Sequence, residues 1–237
     1  MHFIKKHLLS NKQNGLIVVL TIFCSLLIGF RMIYSETIHF RFLLWNLFLA
    51  LVPLVITYFS LVQSNVSKSR IRVVFILGVW LLFFPNAPYI LTDLFHLNFN
   101  SSMPIWFDLV LIMSFAWTGL LAGFLSLMHI EQALISWVNK RWAMILVVVM
   151  LFMSSFGIYL GRFLRWNSWD ILKHPGGLFN DVFDRFVNPS DHPTTWGVTI
   201  FLGLMLVVMY FSLKFFALEK LEVGQKNSAE ADFVQKS

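Results

Sequence analysis

Cysteine is almost missing from this chain: Cys24 stands alone, in the middle of an apolar run, which excludes a disulfide framework or a cysteine zinc site within one chain. Charge is scarce too. Asp, Glu, Lys and Arg make up only 13% of the 237 residues against 58% hydrophobic, and the mean hydropathy is +0.73. Soluble domains carry charge on roughly a quarter of their residues, so the composition excludes a soluble globular protein and points to a bilayer. Heptads, low-complexity tracts and internal repeats are missing as well. There is no H-E-x-x-H or D-x-D metal motif and no G-x-S-x-G nucleophile motif, so the common signatures of metalloproteases and serine hydrolases are absent.

What the chain has in quantity is long apolar runs. A helix needs about 20 apolar residues to cross a hydrocarbon core of about 30 Å, and such runs lie at Leu16–Tyr34, Phe40–Leu61, Ile71–Leu91, Ile105–Met128, Trp142–Leu160 and Trp196–Phe216. The sequence therefore predicts an all-α polytopic membrane protein of six transmembrane helices. Residues 1–15 form an N-terminal segment, 16–218 the membrane domain with a long connection at 161–195, and 219–237 a tail. Lys5, Lys6 and Lys12 precede the first run as in a signal peptide, but no small-x-small cleavage pattern follows, so the first run reads as a retained helix.

Basic residues near span ends are held on the cytoplasmic side. Of the 18 lysines and arginines, twelve fall on the side of both termini, and six (Arg31, Arg41, Arg162, Arg165, Lys173, Arg185) fall on the other. This split predicts a cell-membrane protein with cytoplasmic N- and C-termini. It also accounts for the formal charge of +6 through topology and attraction to anionic headgroups. Membrane lipids are thus expected partners, and no nucleic acid is, because no basic stripe interleaved with aromatics occurs.

The connections at Val62–Arg70 and His129–Arg141 are too short for a domain, whereas Thr92–Pro104 and Gly161–Thr195 hold most of the remaining polar residues. A functional site is expected on that outer side. Within the long connection, Leu178–Val187 alternates apolar and polar residues at helical spacing, predicting a short amphipathic helix on the membrane surface or capping the bundle. Gly119-x-x-x-Gly123 predicts one close helix contact inside the bundle. The tail after Phe216 mixes both signs of charge and is expected to be disordered.

The third run breaks in an informative place. From Arg72 to Phe84 is 13 residues, only about 20 Å of helix, so Pro85-Asn-Ala-Pro88 falls at membrane depth. Proline there removes a backbone donor and clashes with the preceding turn. Irregular backbone in the hydrocarbon region is tolerated only where protein or a wet cavity surrounds it, so the third helix, broken at Pro85–Pro88, predicts a pocket opening outward near Asn86 and Tyr89. One turn on, Asp93 and His96 share a helical face, and Asp108 enters the fourth run after Pro104. Ionisable groups at such depth are functional candidates. Arg162 and Arg165 follow at one-turn spacing, with Trp166, Trp169 and Asp170 beyond them; they suit either pairing with Asp93, Asp108 or Asp170, or clamping a carboxylate or phosphate. The outer acids and His96, His174 and His192 supply donors fit for a metal but follow no spaced motif, so neither metal nor cofactor is specified.

The stretches Pro85-Asn-Ala-Pro-Tyr-Ile-Leu-Thr-Asp-Leu94, Pro104 to Asp108, and Gly157-Ile-Tyr-Leu-Gly-Arg-Phe-Leu-Arg-Trp-Asn-Ser-Trp-Asp170 resemble the domain of unknown function 1361 family of bacterial integral membrane proteins, over most of the chain from the second run onward. The resemblance implies a polytopic bacterial membrane protein and no activity. From the residues, the leading expectation is an outward site for an anionic lipid or cell-envelope substrate. In it Asp93, His96 and Asp108 are candidate acids or bases, and Asn86, Tyr89, Arg162, Arg165 and Asp170 candidate ligand contacts. The alternatives are a small transporter, against which stand the apolar inner halves of the second and fifth runs, and an accessory or assembly protein without chemistry.

Overall fold

A hydrocarbon core offers the backbone no water, so each spanning segment must satisfy its own amide groups and folds as a helix. The computed structural model describes residues 2–63, 70–97 and 102–234, and the side chains of 13–61, 71–97 and 102–216. Among the described residues six helical segments are long and apolar enough to cross a membrane: Gln13–Ser35, Phe42–Leu61, Ile71–His96, Ile105–Ile135, Lys140–Phe163 and Pro193–Phe216. They belong to α1 (His2–Ser35), α2 (Phe42–Thr57, continued by a π-helical turn), α3 (Arg70–Phe83) with its one-turn extension α4 (Asn86–Tyr89) and a 3-10 segment (Ile90–His96), α5 (Ile105–Ile135), α6 (Lys140–Phe163) and α9 (Pro193–Val234). The long connection carries α7 (Asp170–Lys173) and α8 (Pro175–Val187). The chain is an all-α multi-pass membrane protein.

Three boundaries differ from the sequence expectation. The fourth span runs past Met128 to Ile135, because the buried Glu131 carboxylate accepts the Tyr210 hydroxyl at 2.6 Å and the Lys214 ammonium, while His129 pairs with Thr57 at 3.1 Å. Partners for these groups let the helix continue, and the turn to α6 shortens to 136–139, where Asn139 caps α6 by accepting from the Trp142 N–H at 3.0 Å. The helix in the long connection starts at Pro175 rather than Leu178, as proline suits the first helical position. The tail is helical in backbone as far as Val234 rather than disordered; its Glu, Lys, Gln and Ala content favours the helix. Residues 64–69 of the Val62–Arg70 connection and 98–101 of Thr92–Pro104 lie outside the described residues.

Span α5 is the most enclosed, and small residues let the broken third span press against it. A Cβ added to Gly123 would stand 2.6 Å from the Ala87 Cβ, and one on Gly119 would stand 2.9 Å from Ile90 Cδ1 and 3.0 Å from the Ala87 carbonyl oxygen. On the opposite side α6 repeats the device. A Cβ on Gly157 would meet the Pro85 ring at 2.9 Å, and one on Gly161 the Tyr89 ring at 3.2 Å. Two glycine pairs, each spaced four residues apart, thus hold the Pro85–Ile90 segment from both sides. Close approach of this kind is how membrane helices gain packing contact where lipid supplies no hydrophobic drive.

The seam makes a stability prediction. Gly123→Ala and Gly157→Ala should each destabilise by about 1–3 kcal/mol through overpacking, because Ala87 Cβ and a proline ring cannot swing aside. Gly29→Ala, where an added Cβ meets nothing within 4 Å, should be neutral or stabilising by up to about 1 kcal/mol through helix propensity. Thermal melting of the three purified variants in detergent checks the ordering.

Candidate functional site

The prolines leave backbone carbonyls without their usual helical donors, and each partner found for them shapes the site. Asn86 turns its side-chain amide back onto the Phe83 carbonyl at 2.9 Å. The Phe84 carbonyl takes the Ala87 N–H at 3.0 Å. The Leu82 carbonyl receives the hydroxyl of Ser168 at 2.9 Å, from far along the chain, and Asn86 donates to the same hydroxyl oxygen at 3.3 Å. Ser168 therefore ties the long connection into the break.

Beside the break lies a cavity of about 480 Å³. Its lining is apolar at Gly78, Leu81 and Met153, toward the middle of their spans, and includes the polar Asn46 near the start of α2, Asn86 and Tyr89 at the break, and Asn167 and Ser168 of the long connection, together with Trp45, Trp166 and Trp169. Trp166 is held by its Nε1–H on Asp181 Oδ2 at 2.7 Å. Asp181 belongs to α8, whose Leu178 also lines the cavity while Phe179, Phe183 and Phe186 stay exposed. That exposed apolar face, on a helix in the connection between two spans, fits the membrane interface. Among the described residues no Asp, Glu, His, Lys, Arg or Cys lines it.

The charged candidates lie next to this cavity or apart from it. Asp93 is 1% exposed; it pairs with the Arg162 guanidinium and accepts the Asn46 amide at 2.8 Å. Arg162 also donates Nε–H to Thr92 Oγ1 at 2.8 Å and lies 4.4 Å over the Tyr89 ring. His96 approaches Asp93 at 3.9 Å with its side chain 41% exposed. Asp108 does not join this group. It forms a bidentate pair with Arg31, at 2.7 and 3.3 Å, both side chains 1% exposed, and Arg31 reaches Thr37 at 3.2 Å and covers Phe40 at 4.4 Å.

Arg165 does not continue the helical face of Arg162 either, because α6 ends at Phe163. Arg165 takes a left-handed backbone (φ 62°) and is exposed, and the Trp166 N–H closes the turn on the Leu160 carbonyl at 3.1 Å. Asp170 serves the loop: it accepts the Asn167 backbone N–H at 2.8 Å and its amide at 3.1 Å. The Asn167 N–H, together with that amide, Lys173 and His174, holds the Asp170 carboxyl below its ordinary range. The lowered value means that this contribution to the fold is present above the ordinary carboxylate range and is lost as pH falls through the lowered value.

Among the described residues no three His, Cys, Asp or Glu side chains gather as metal ligands; Asp184 and His192 meet at 2.7 Å as a pair. The sequence reading missed Asn46, Trp45, Ser168 and the role of Arg31. Asn46, the one amide in its apolar span, carried a signal at membrane depth, as did Arg31, the one cation of the first run. Ser168 carried none.

Two consequences can be measured by melting in detergent. Asp108→Ala strands Arg31 without its counter-ion and should destabilise by about 3–5 kcal/mol, whereas Asp108→Ala combined with Arg31→Met should recover most of that loss. Ser168→Ala should lower stability by about 1–3 kcal/mol, since the Leu82 carbonyl then lacks its donor at membrane depth.

The model of one protein family, described as protein of unknown function (DUF1361), matches residues 45–209, which include every residue lining the cavity. Neither a curated protein nor a solved structure matches the chain. Because the match takes in more than half of its length, the chain belongs to the DUF1361 family of proteins of unknown function.

Proposed function

We propose that this membrane protein binds an amphiphile, a lipid or lipid-linked cell-envelope intermediate, in the cavity beside the third-span break. One observation carries the reading: the cavity is graded, apolar from Gly78 and Met153 and polar at Asn86, Asn167 and Ser168, as a molecule with a tail and a headgroup requires. Its volume of about 480 Å³ falls within the roughly 300–1,000 Å³ of small-molecule sites. Gly78 lies eight residues beyond Arg70, or about 12 Å along the helix, so the apolar end reaches toward the middle of the hydrocarbon layer.

Binding is favoured over chemistry. Among the described residues Tyr89 is the only titratable side chain lining the cavity, whereas Asp93 is sequestered by Arg162 and Asn46 and Asp108 by Arg31. An anionic ligand was expected on account of Arg162 and Arg165. Arg162 is neutralised by Asp93, and neither arginine lines the cavity, so the arginines do not decide the headgroup's charge. With both termini cytoplasmic, as the basic-residue bias favours, the polar end faces outward across the cell membrane.

Gly78 offers the test. It lines the cavity, and an added Cβ there meets nothing within 4 Å, so a side chain can start from this position and Gly78→Trp should occupy cavity space. Native mass spectrometry of protein extracted from membranes should show lipid retained by wild type and by the control Gly29→Trp, and lost several-fold from Gly78→Trp at unchanged melting temperature. Equal retention by all three would overturn the proposal.

A further inference from the structure

We infer that the headgroup taken by this cavity is a neutral glycosyl group, so that the amphiphile is a glycolipid rather than a phospholipid; the inference rests on the amphiphile reading and gives it a substrate class. The argument is an inventory of donors and acceptors. Asn86 spends its NH₂ on the Phe83 carbonyl, Asn46 on the Asp93 carboxylate and Asn167 on the Asp170 carboxylate. Each of those partners can only accept, so each amide has one chemically sensible orientation. The three amide oxygens are left without partners among the described residues.

The residues lining the cavity therefore carry three carbonyl-type acceptors. They also carry three donors without partners among the described residues: the indole N–H groups of Trp45 and Trp169 and the Tyr89 hydroxyl. A hydroxyl both donates and accepts, whereas a phosphate oxygen only accepts and an ammonium only donates. A phosphate would face the three amide oxygens unpaired, and an ammonium would face the indole and phenol donors with Arg162 close behind Tyr89. Among the described residues no lining side chain carries a charge to compensate either ion, and an uncompensated ion out of water is strongly disfavoured. A sugar meets both sets with its hydroxyls. Its C–H faces are matched by the indoles, which supply broad apolar surface with a polar edge.

The experiment uses the full chain in a non-glycosidic amine-oxide detergent, because alkyl glycosides would compete for the site. Glucosyl diacylglycerol, phosphatidylglycerol, phosphatidylethanolamine and phosphatidylcholine of matched acyl chains are added in equal amounts, and retained lipid is counted by native mass spectrometry. Wild type should retain the glucosyl lipid about tenfold over each phospholipid, the factor that corresponds to one hydrogen bond of ~1.4 kcal/mol. Asn167→Ala removes an acceptor, and Trp169→Phe removes a donor while keeping a ring. Each should lower glucosyl-lipid retention several-fold relative to phosphatidylcholine, and Trp169→Phe should do so at unchanged melting temperature. Phosphatidylglycerol or phosphatidylethanolamine retained as well as the glucosyl lipid would overturn the glycosyl assignment while leaving the amphiphile reading standing. Retention of every lipid at the level of Gly78→Trp would overturn both.

Discussion

Proline at membrane depth sets the constraint on which the rest of this structure depends. Pro85 and Pro88 interrupt the amide ladder of the third span where water cannot replace it, so protein must supply the donors. The Asn86 amide and the Ser168 hydroxyl do so, and the second of these draws residues 166–171 down over the break. The same segment needs room on both sides. The glycines of α5 and α6 provide it, and the cavity is the space left between α2, the interrupted span, α6 and the descending loop.

The buried charges of the spans are arranged in pairs. Arg31 with Asp108 joins α1 to α5, Arg162 with Asp93 joins α6 to the end of the third span, and Lys214 with Glu131 joins α9 to α5 near the opposite membrane face. Each acid is nearly inaccessible, and an unpaired ion there would be far less stable than a paired one. Among the described residues, neutralisation within the protein leaves the cavity lined by dipoles, amides, indoles, a hydroxyl and a phenol, rather than by charges.

The sequence alone determined the architecture. Six apolar runs fix six helices because the solvent permits little else, and the position of Pro85 relative to Arg72 fixed the depth of the break through helix rise alone. The periodicity of Leu178–Val187 gave α8 apart from its start. Partnership was decided only by the tertiary structure. Asp93, Asp108, Arg31 and Arg162 all lie near one membrane face and are interchangeable by charge, so nothing in their spacing says that Asp108 takes Arg31 while Asp93 takes Arg162. That choice depends on which helices are neighbours: α5 packs against α1, while α4, the turn just before Asp93, packs against α6. The full lining of the cavity is likewise invisible to the sequence, which led only to a pocket near Asn86 and Tyr89. Asn46, Asn86 and Asn167 come from three distant stretches, and which end of each amide is left free is set by acceptors that only folding brings within reach.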